Sequence, residues 1–469
     1  MTPLALAALL ALASADAATE PWLPDGELRY DNEVQGDLPS EPWWRSLDDP
    51  ALAQLVELGL ANNHDLAAAQ SAVTVARAMA AQAGAALAPV ASIDLSSATN
   101  PMDSLGFQFG GAGSGAPASD DSPETYTTAS AMLGLSWQPD IWGGQILSWR
   151  AGRFDADAAQ GDRDAAALAI GTAIASTWYD LVATRAKLSL LEDQRALVAD
   201  LLALTEQRYS QGELSGLDVL QQRQQLAATE AQLPAIRAAI HQLQRAMLVL
   251  LDQPDARLLP ALPSALPEVP PTPPTGVPAD LIENRPDLRA AMARYESSDA
   301  SARSALRGFL PTLGLNAKGG RQYFVTDETK EIDTWTVSGS VSVPLWQARG
   351  AHTGLQVSRA AQSAAAHALS GAAMAAVQEV EGALAVEAEY RLQVEATLRQ
   401  VEAAAAAFEQ SREYYLQGLI TYPQVLSALQ ANQQARIALL SAQRALLDAR
   451  ISLHEALGGR FATALEVTP

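Results

Sequence analysis

Five histidines, 53 carboxylates and no cysteine are the raw material this chain has for chemistry. His64, His241, His352, His367 and His454 are scattered, with no spacing that would let two imidazoles share a metal. The sequence holds no P-loop, no dinucleotide fingerprint and no G-x-S-x-G elbow. Without cysteine there is no thiolate nucleophile, disulfide or lipid-modified N-terminal Cys. The expectation is a protein that is no enzyme and has no cofactor or metal site. A formal charge of −22 argues against nucleic acid, since phosphate binding needs a basic face. What remains are charged residues beside two glycine-containing stretches, RYSQGELSGLDVL and YYLQGLITYPQVL: Arg208 and Asp218 by the first, Glu409 and Glu413 before the second.

Those stretches end two abnormally long helical runs. From Gly143 to Gln211 there is no proline and few glycines, and alanine and leucine dominate. An unbroken helix over that run would reach about 100 Å, several times the usual length. A second such run spans Gln347 to Gln417. Val394, Val401, Phe408 and Tyr415 recur every seven residues, with Thr397, Ala404 and Ser411 in small slots between them, which predicts close lateral helix packing. Gly212 and Gly418 supply the turns, and return helices begin near Leu217 and Tyr422, the first running to Leu251 with a kink or break at Pro234.

The chain is an internal duplication. NNHDLAAAQ is answered by ENRPDLRAA, PDIWGG by VPLWQA, and the first turn stretch by the second, with Gly212 and Leu220 matched to Gly418 and Leu426. Before each long run lies a pair of strands. Ile93 and Leu95 alternate with polar neighbours in the first, and Thr127 to Trp137 forms the second. Trp335, Val337, Gly339, Val341 and Val343 alternate with Thr and Ser in the second repeat. Strands of this length, apolar on one face and small and polar on the other, fit a water-soluble sheet or an outer-membrane barrel. Four strands cannot close a barrel, and lipid does not tolerate an open edge, so a membrane reading requires several copies.

Leu4 to Leu12 is an apolar run of signal-peptide length, although no basic residue precedes Arg29. The expected division is a signal peptide over 1–17, a first repeat over 18–252, a connector over 253–278 with nine prolines, and a second repeat over 279–469. Glu20 to Asp49 reads as an extended arm, and a helix should start at Pro50 and run to Pro89. Pro101 to Pro123 and Val325 to Glu331 read as loops. No run long and apolar enough for a transmembrane helix is expected.

LVELGLANNHDLAAAQ, SWQPDIWGG, RYSQGELSGLDVLQQRQQL, LPSALPEVPPTPP, LIENRPDLRAA, FLPTLGL, VSVPLW, YYLQGLITYPQVL and HEALGGR resemble, in order and spacing, the TolC-like outer-membrane efflux proteins of resistance-nodulation-division pumps. The resemblance covers nearly the whole mature chain. It implies a mainly α chain with a β-barrel part: a homotrimer whose four strands per protomer make a twelve-stranded barrel in outer-membrane lipid of a Gram-negative bacterium, continued by a long periplasmic α-helical barrel. It implies a passive conduit exporting small molecules, docked on a periplasmic adaptor and an inner-membrane pump. The alternatives are a duct for type I protein secretion and a soluble coiled-coil scaffold. The turns would be the adaptor-docking tips: Arg208, Tyr209, Gly212, Leu214, Ser215, Asp218 and Leu220 in the first, and Tyr415, Gly418, Leu419, Tyr422 and Leu426 in the second. The glycines and leucines fit plain helix-hairpin chemistry equally well. Family members often ring their entrance with acidic residues after the second turn. Here Gln424 and Ser427 stand there, leaving Asp218, Glu409 and Glu413 as candidates for entrance gating. Met292 is a further departure, and without an N-terminal Cys attachment must rest on the barrel.

Overall fold

The computed structural model describes residues 19–24, 30, 34, 36, 42–101, 125–255, 259–325, 329–343 and 348–459. The expected signal peptide, much of the N-terminal arm, residues 102–124 and 326–328 of the two hairpin loops, and the stretch holding Trp346 lie outside the described residues. The chain forms two compact units, neither of which is a repeat. The first comprises Met1–Glu20, Val75–Ala156 and Ala293–Ala365; the second comprises Pro21–Thr74, Asp157–Met292 and Ala366–Pro469. Each repeat thus supplies strands to the first unit and helices to the second.

The first repeat begins with α1 (Pro50–Asn62) and α2 (His64–Ala85). One helix was expected here, and Asn63 divides it. Asn63 takes an extended conformation (φ −61, ψ 127). Its Oδ1 accepts from the Asp65 and Leu66 amides at 2.9 and 3.2 Å, while its Nδ2 donates to the Leu250 carbonyl at 3.1 Å. A side chain that competes with the backbone for those amides ends one helix and caps the next. The arm is not wholly extended either: Trp43–Leu47 is a 3-10 turn burying both tryptophans. Strands β1 (Val90–Pro101) and β2 (Thr125–Trp137) follow, then α3 (Gly144–Ser210, 67 residues). The return is broken as Pro234 suggests, into α4 (Gly216–Glu230) and α5 (Leu233–Leu250).

The second repeat has the same order: α6 (Leu281–Asn284), α7 (Pro286–Arg307), β3 (Thr312–Val325), β4 (Thr329–Ser342), α8 (Ala348–Leu416, 69 residues) and α9 (Tyr422–Ala456). Pro101 therefore ends a strand rather than opening a loop, and Glu331 lies inside β4. In the cross-strand ladder Thr329 still finds a partner in Val325, which pulls the strand start earlier than composition suggests.

In the first unit the strands make one antiparallel sheet in the order β1-β2-β3-β4, so β2 and β3 join the repeats. Register puts Ile93 opposite Leu133, Leu133 opposite Gly319, and Gly319 opposite Trp335. Those positions share one face, and its large side chains are open: Ile93, Leu95, Trp335 and Val337 are 72–80% exposed. The opposite face carries serines and threonines, with Lys318 paired to Asp94 at 3.2 Å. An apolar face this open in a folded sheet is one that water does not cover.

In the second unit the helices pack on large aromatic and aliphatic side chains, including Trp44, Trp178 and Ile174, all essentially inaccessible. An 18-residue window of α3 is apolar enough to cross a bilayer by composition, but 61% of it is buried within the protomer. His454 stacks on Trp43 at 5.7 Å and meets the Ser46 hydroxyl at 3.2 Å; burial pushes its imidazole down to about 4, so it stays neutral. The proline-rich connector is tied to α8 and α9 by charge. Glu387 and Arg450, each 1% exposed, pair at 2.6 Å. Arg450 also donates to the Pro270 and Pro271 carbonyls, and Thr272 donates to Glu387 at 2.9 Å. Burial alone would raise the Glu387 carboxyl, but Arg450, Thr272 and Arg391 hold it below the usual range.

Candidate docking site at the helix turns

Both turns use one backbone solution. The Gly212 amide bonds to the Tyr209 carbonyl and the Glu213 amide to Arg208; in the second turn Gly418 bonds to Tyr415 and Leu419 to Tyr414. This is the Schellman arrangement, which needs a left-handed residue after the helix. Gly212 and Gly418 supply it with φ of 78 and 74. Each return helix then opens on a side-chain cap, reciprocal in the first turn. Ser215 N–H donates to Asp218 Oδ2 at 3.0 Å and the Asp218 amide reaches Ser215 Oγ at 3.4 Å. In the second turn Thr421 N–H donates to Gln424 Oε1 at 2.9 Å. The S-x-x-D and T-x-x-Q spacing is the signal in the sequence that marks these caps.

The side chains differ. Tyr415 and Tyr422 are buried edge to face, ring centroids 6.2 Å apart, in a cluster with Val198, Leu201, Phe408, Val425 and Leu429. Among the described residues neither phenol finds a hydrogen-bond partner. Burial, then the neighbouring Tyr415, pushes Tyr422 up to about 12. Tyr209, which stands at the Tyr415 position of the first turn, is 51% exposed instead. Leu220 and Leu419 are also open, at 63% and 67%, whereas Leu214 and Leu426 are half-buried.

Arg208 connects the turns. Its Nε donates to Glu213 at 3.2 Å, its Nη1 to the Tyr415 carbonyl at 3.4 Å, and its guanidinium lies 5.3 Å from the Tyr415 ring centre. A cation on the last carbonyls of α8 also complements that helix end. The Tyr415 carbonyl was not singled out by sequence, because that contact spans 207 positions, and neither was Glu213, five residues from Arg208.

Each of the three carboxylates named for gating has a partner within the protomer. Asp218 Oδ2 is engaged in the cap. Glu409 pairs with Arg412 one turn along α8 at 3.2 Å, and Glu413 accepts from Gln417 at 3.4 Å. Within one protomer these are helix-surface and capping interactions.

A family model described as outer membrane efflux protein matches residues 55–251 and 277–459. The pyoverdine export outer membrane protein OpmQ of Pseudomonas putida is 28% identical over 423 residues, covering 90% of this chain and 88% of that protein. The multidrug resistance outer membrane protein MdtP of Escherichia coli O6:H1 is 25% identical over 479 residues, 97% of this chain and 94% of its own. Among solved structures, the outer-membrane channel OprN superposes with a TM-score of 0.83 at 22% identity, over 95% of this chain and 99% of that one. VceC of Vibrio cholerae gives 0.79 at 24% identity, over 90% and 100%.

Proposed function

The chain belongs to the outer membrane efflux protein family, and from that premise we propose that three copies form the outer-membrane duct of a tripartite efflux pump. It is an outer-membrane efflux channel, in a family of channels rather than enzymes. The observation that carries the trimer is the sheet: its outer strands β1 and β4 are edges, and one of its faces is apolar and open. Unpaired edge amides and carbonyls cost several kcal/mol each in hydrocarbon. Pairing β4 of one copy with β1 of the next removes every edge when three copies close, giving twelve strands from four per chain. The helices then wall a water-filled periplasmic conduit, and the energy of transport is supplied elsewhere.

The two turns form the surface that a periplasmic adaptor grips. Tyr209, Leu220 and Leu419 are exposed apolar side chains on rigid helix ends, which suits a hairpin-shaped partner. Relatives named for pyoverdine export and for multidrug resistance support small molecules as cargo over secreted polypeptides.

A deletion strain tests the reading. It should gain sensitivity to small toxic compounds and keep normal protein secretion, and outer-membrane fractions should yield a heat-modifiable trimer. A monomer extracted without detergent, or a strain defective only in protein secretion, would overturn it.

A further inference from the structure

In the first unit a cleft of about 340 Å³ sits where β2 and β3 meet their flanking helices. β2 and β3 are the central strands, so the cleft lies away from the edges where another copy would pair. Leu313 on its wall stands opposite Val341, and so shares the open apolar face of the sheet. Ile141 and Trp142 line it and are 58% and 46% exposed. The Trp142 indole is held in place by donating to the Pro311 carbonyl at 2.6 Å, and Trp137 likewise donates to Leu87 at 3.1 Å. Two anchored indoles at one end of an apolar strand face mark a membrane–water boundary.

The polar groups of the cleft are unusual in what they leave open. Arg307 is exposed and has no ion pair among the described residues. The Oε1 of Gln145 is buried without a hydrogen-bond partner among the described residues. Asp140 uses one oxygen, Oδ2, to accept from the Ile146 amide at 2.8 Å. Gly144 lies beside both residues: a methyl there would stand 3.2 Å from Arg307 Cβ and 3.9 Å from Asp140 Oδ1. One cleft therefore offers a cation, a carboxylate and an orphaned acceptor, beside exposed apolar side chains.

We propose that this cleft holds the headgroup of a phosphatidylethanolamine from the adjoining membrane leaflet. Arg307 takes the phosphodiester. Gln145 Oε1 and the second Asp140 oxygen accept from the primary ammonium. Ile141 and Trp142 lie along the acyl chains. A buried acceptor needs a hydrogen-bond donor, which a trimethylated choline headgroup lacks and an ethanolamine headgroup has. An anionic glycerol headgroup would meet Asp140 with nothing to neutralise it.

Native mass spectrometry of the full-length trimer in detergent tests this, with dioleoyl-phosphatidylethanolamine, dioleoyl-phosphatidylcholine and dioleoyl-phosphatidylglycerol titrated separately. The ethanolamine lipid should be retained about tenfold more tightly than either of the others, the scale of one charge-assisted hydrogen bond. R307Q should weaken ethanolamine-lipid retention by a similar factor, and Q145M should reduce it to the choline-lipid level, both with the trimer intact on a heat-modifiability gel. Equal retention of the three lipids by the unmodified protein overturns the proposal without recourse to a variant. So does an R307Q trimer that binds like the parent.

Discussion

The two helix turns are the same object in backbone and different objects in side chain. Both close with a left-handed glycine and reopen with a side chain that accepts from the backbone amide three residues before it. Yet the first turn is charged, with Arg208, Glu213 and Asp218, while the matching positions of the second hold Tyr414, Leu419 and Gln424. The second turn instead buries Tyr415 and Tyr422 against α3. The ion pairs follow the same division. Glu206–Arg223, Arg195–Glu230 and Glu192–Arg237 link α3 to its return helices at 2.7–3.0 Å. Among the described residues, no ion pair links α8 to α9 between the second turn and Arg391. Duplication copied the fold of the tip, and divergence assigned packing to one copy and charge to the other.

Removing the buried rings should break the comparison most sharply. Tyr415→Ala should cost roughly 3–5 kcal/mol of local stability, and Tyr209→Ala under about 0.5. Hydrogen-exchange protection of the two turns in the detergent-solubilised protein would read both. Next in size is a pH effect confined to the second turn. An unfolded tyrosine releases its proton near pH 10, while folded Tyr422 holds it to about 12. Tip stability should therefore be whole below pH 10 and fall as pH rises towards 12, by at most about 3 kcal/mol. Tyr422→Phe should flatten that fall.

Smaller again is the link between the turns. Arg208→Gln should loosen both by about 1 kcal/mol, losing the Glu213 pair and the contact with Tyr415. If protection changes only in the first turn, the turns are energetically separate. The smallest effect distinguishes the caps: Asp218→Ala should cost about 1 kcal/mol at low salt, and Gln424→Ala about half that, since only the carboxylate also meets the helix dipole. Raising ionic strength should narrow the gap.

Local pattern made much of this legible. A proline-free run framed by glycines predicted Gly143–Gln211, and α3 spans Gly144–Ser210. The heptad residues Val394, Val401, Phe408 and Tyr415 are all buried or half-buried on α8. Alternation located β4 and its apolar face. What escaped depends on distant partners. Tyr209 and Tyr415 have one residue type and one turn position, and only the neighbouring helices decide that the first is open and the second shut. Asn63 breaks a helix because Leu250 offers it a carbonyl. Glu387 and Arg450 look like solvated helix charges until the connector is laid across them.

The ladder between β2 and β3 bears on how the chain is made. Thr127 pairs with Val325, 198 positions later (325 − 127). Closing a loop of that size carries an entropic cost that local hairpins avoid, and such pairings form slowly. During synthesis the first hairpin emerges well before its partner strand exists. Through that interval β2 is a bare edge, apolar on one face and open to any other strand it meets. An edge bare for that long needs shielding from other strands until the second repeat arrives.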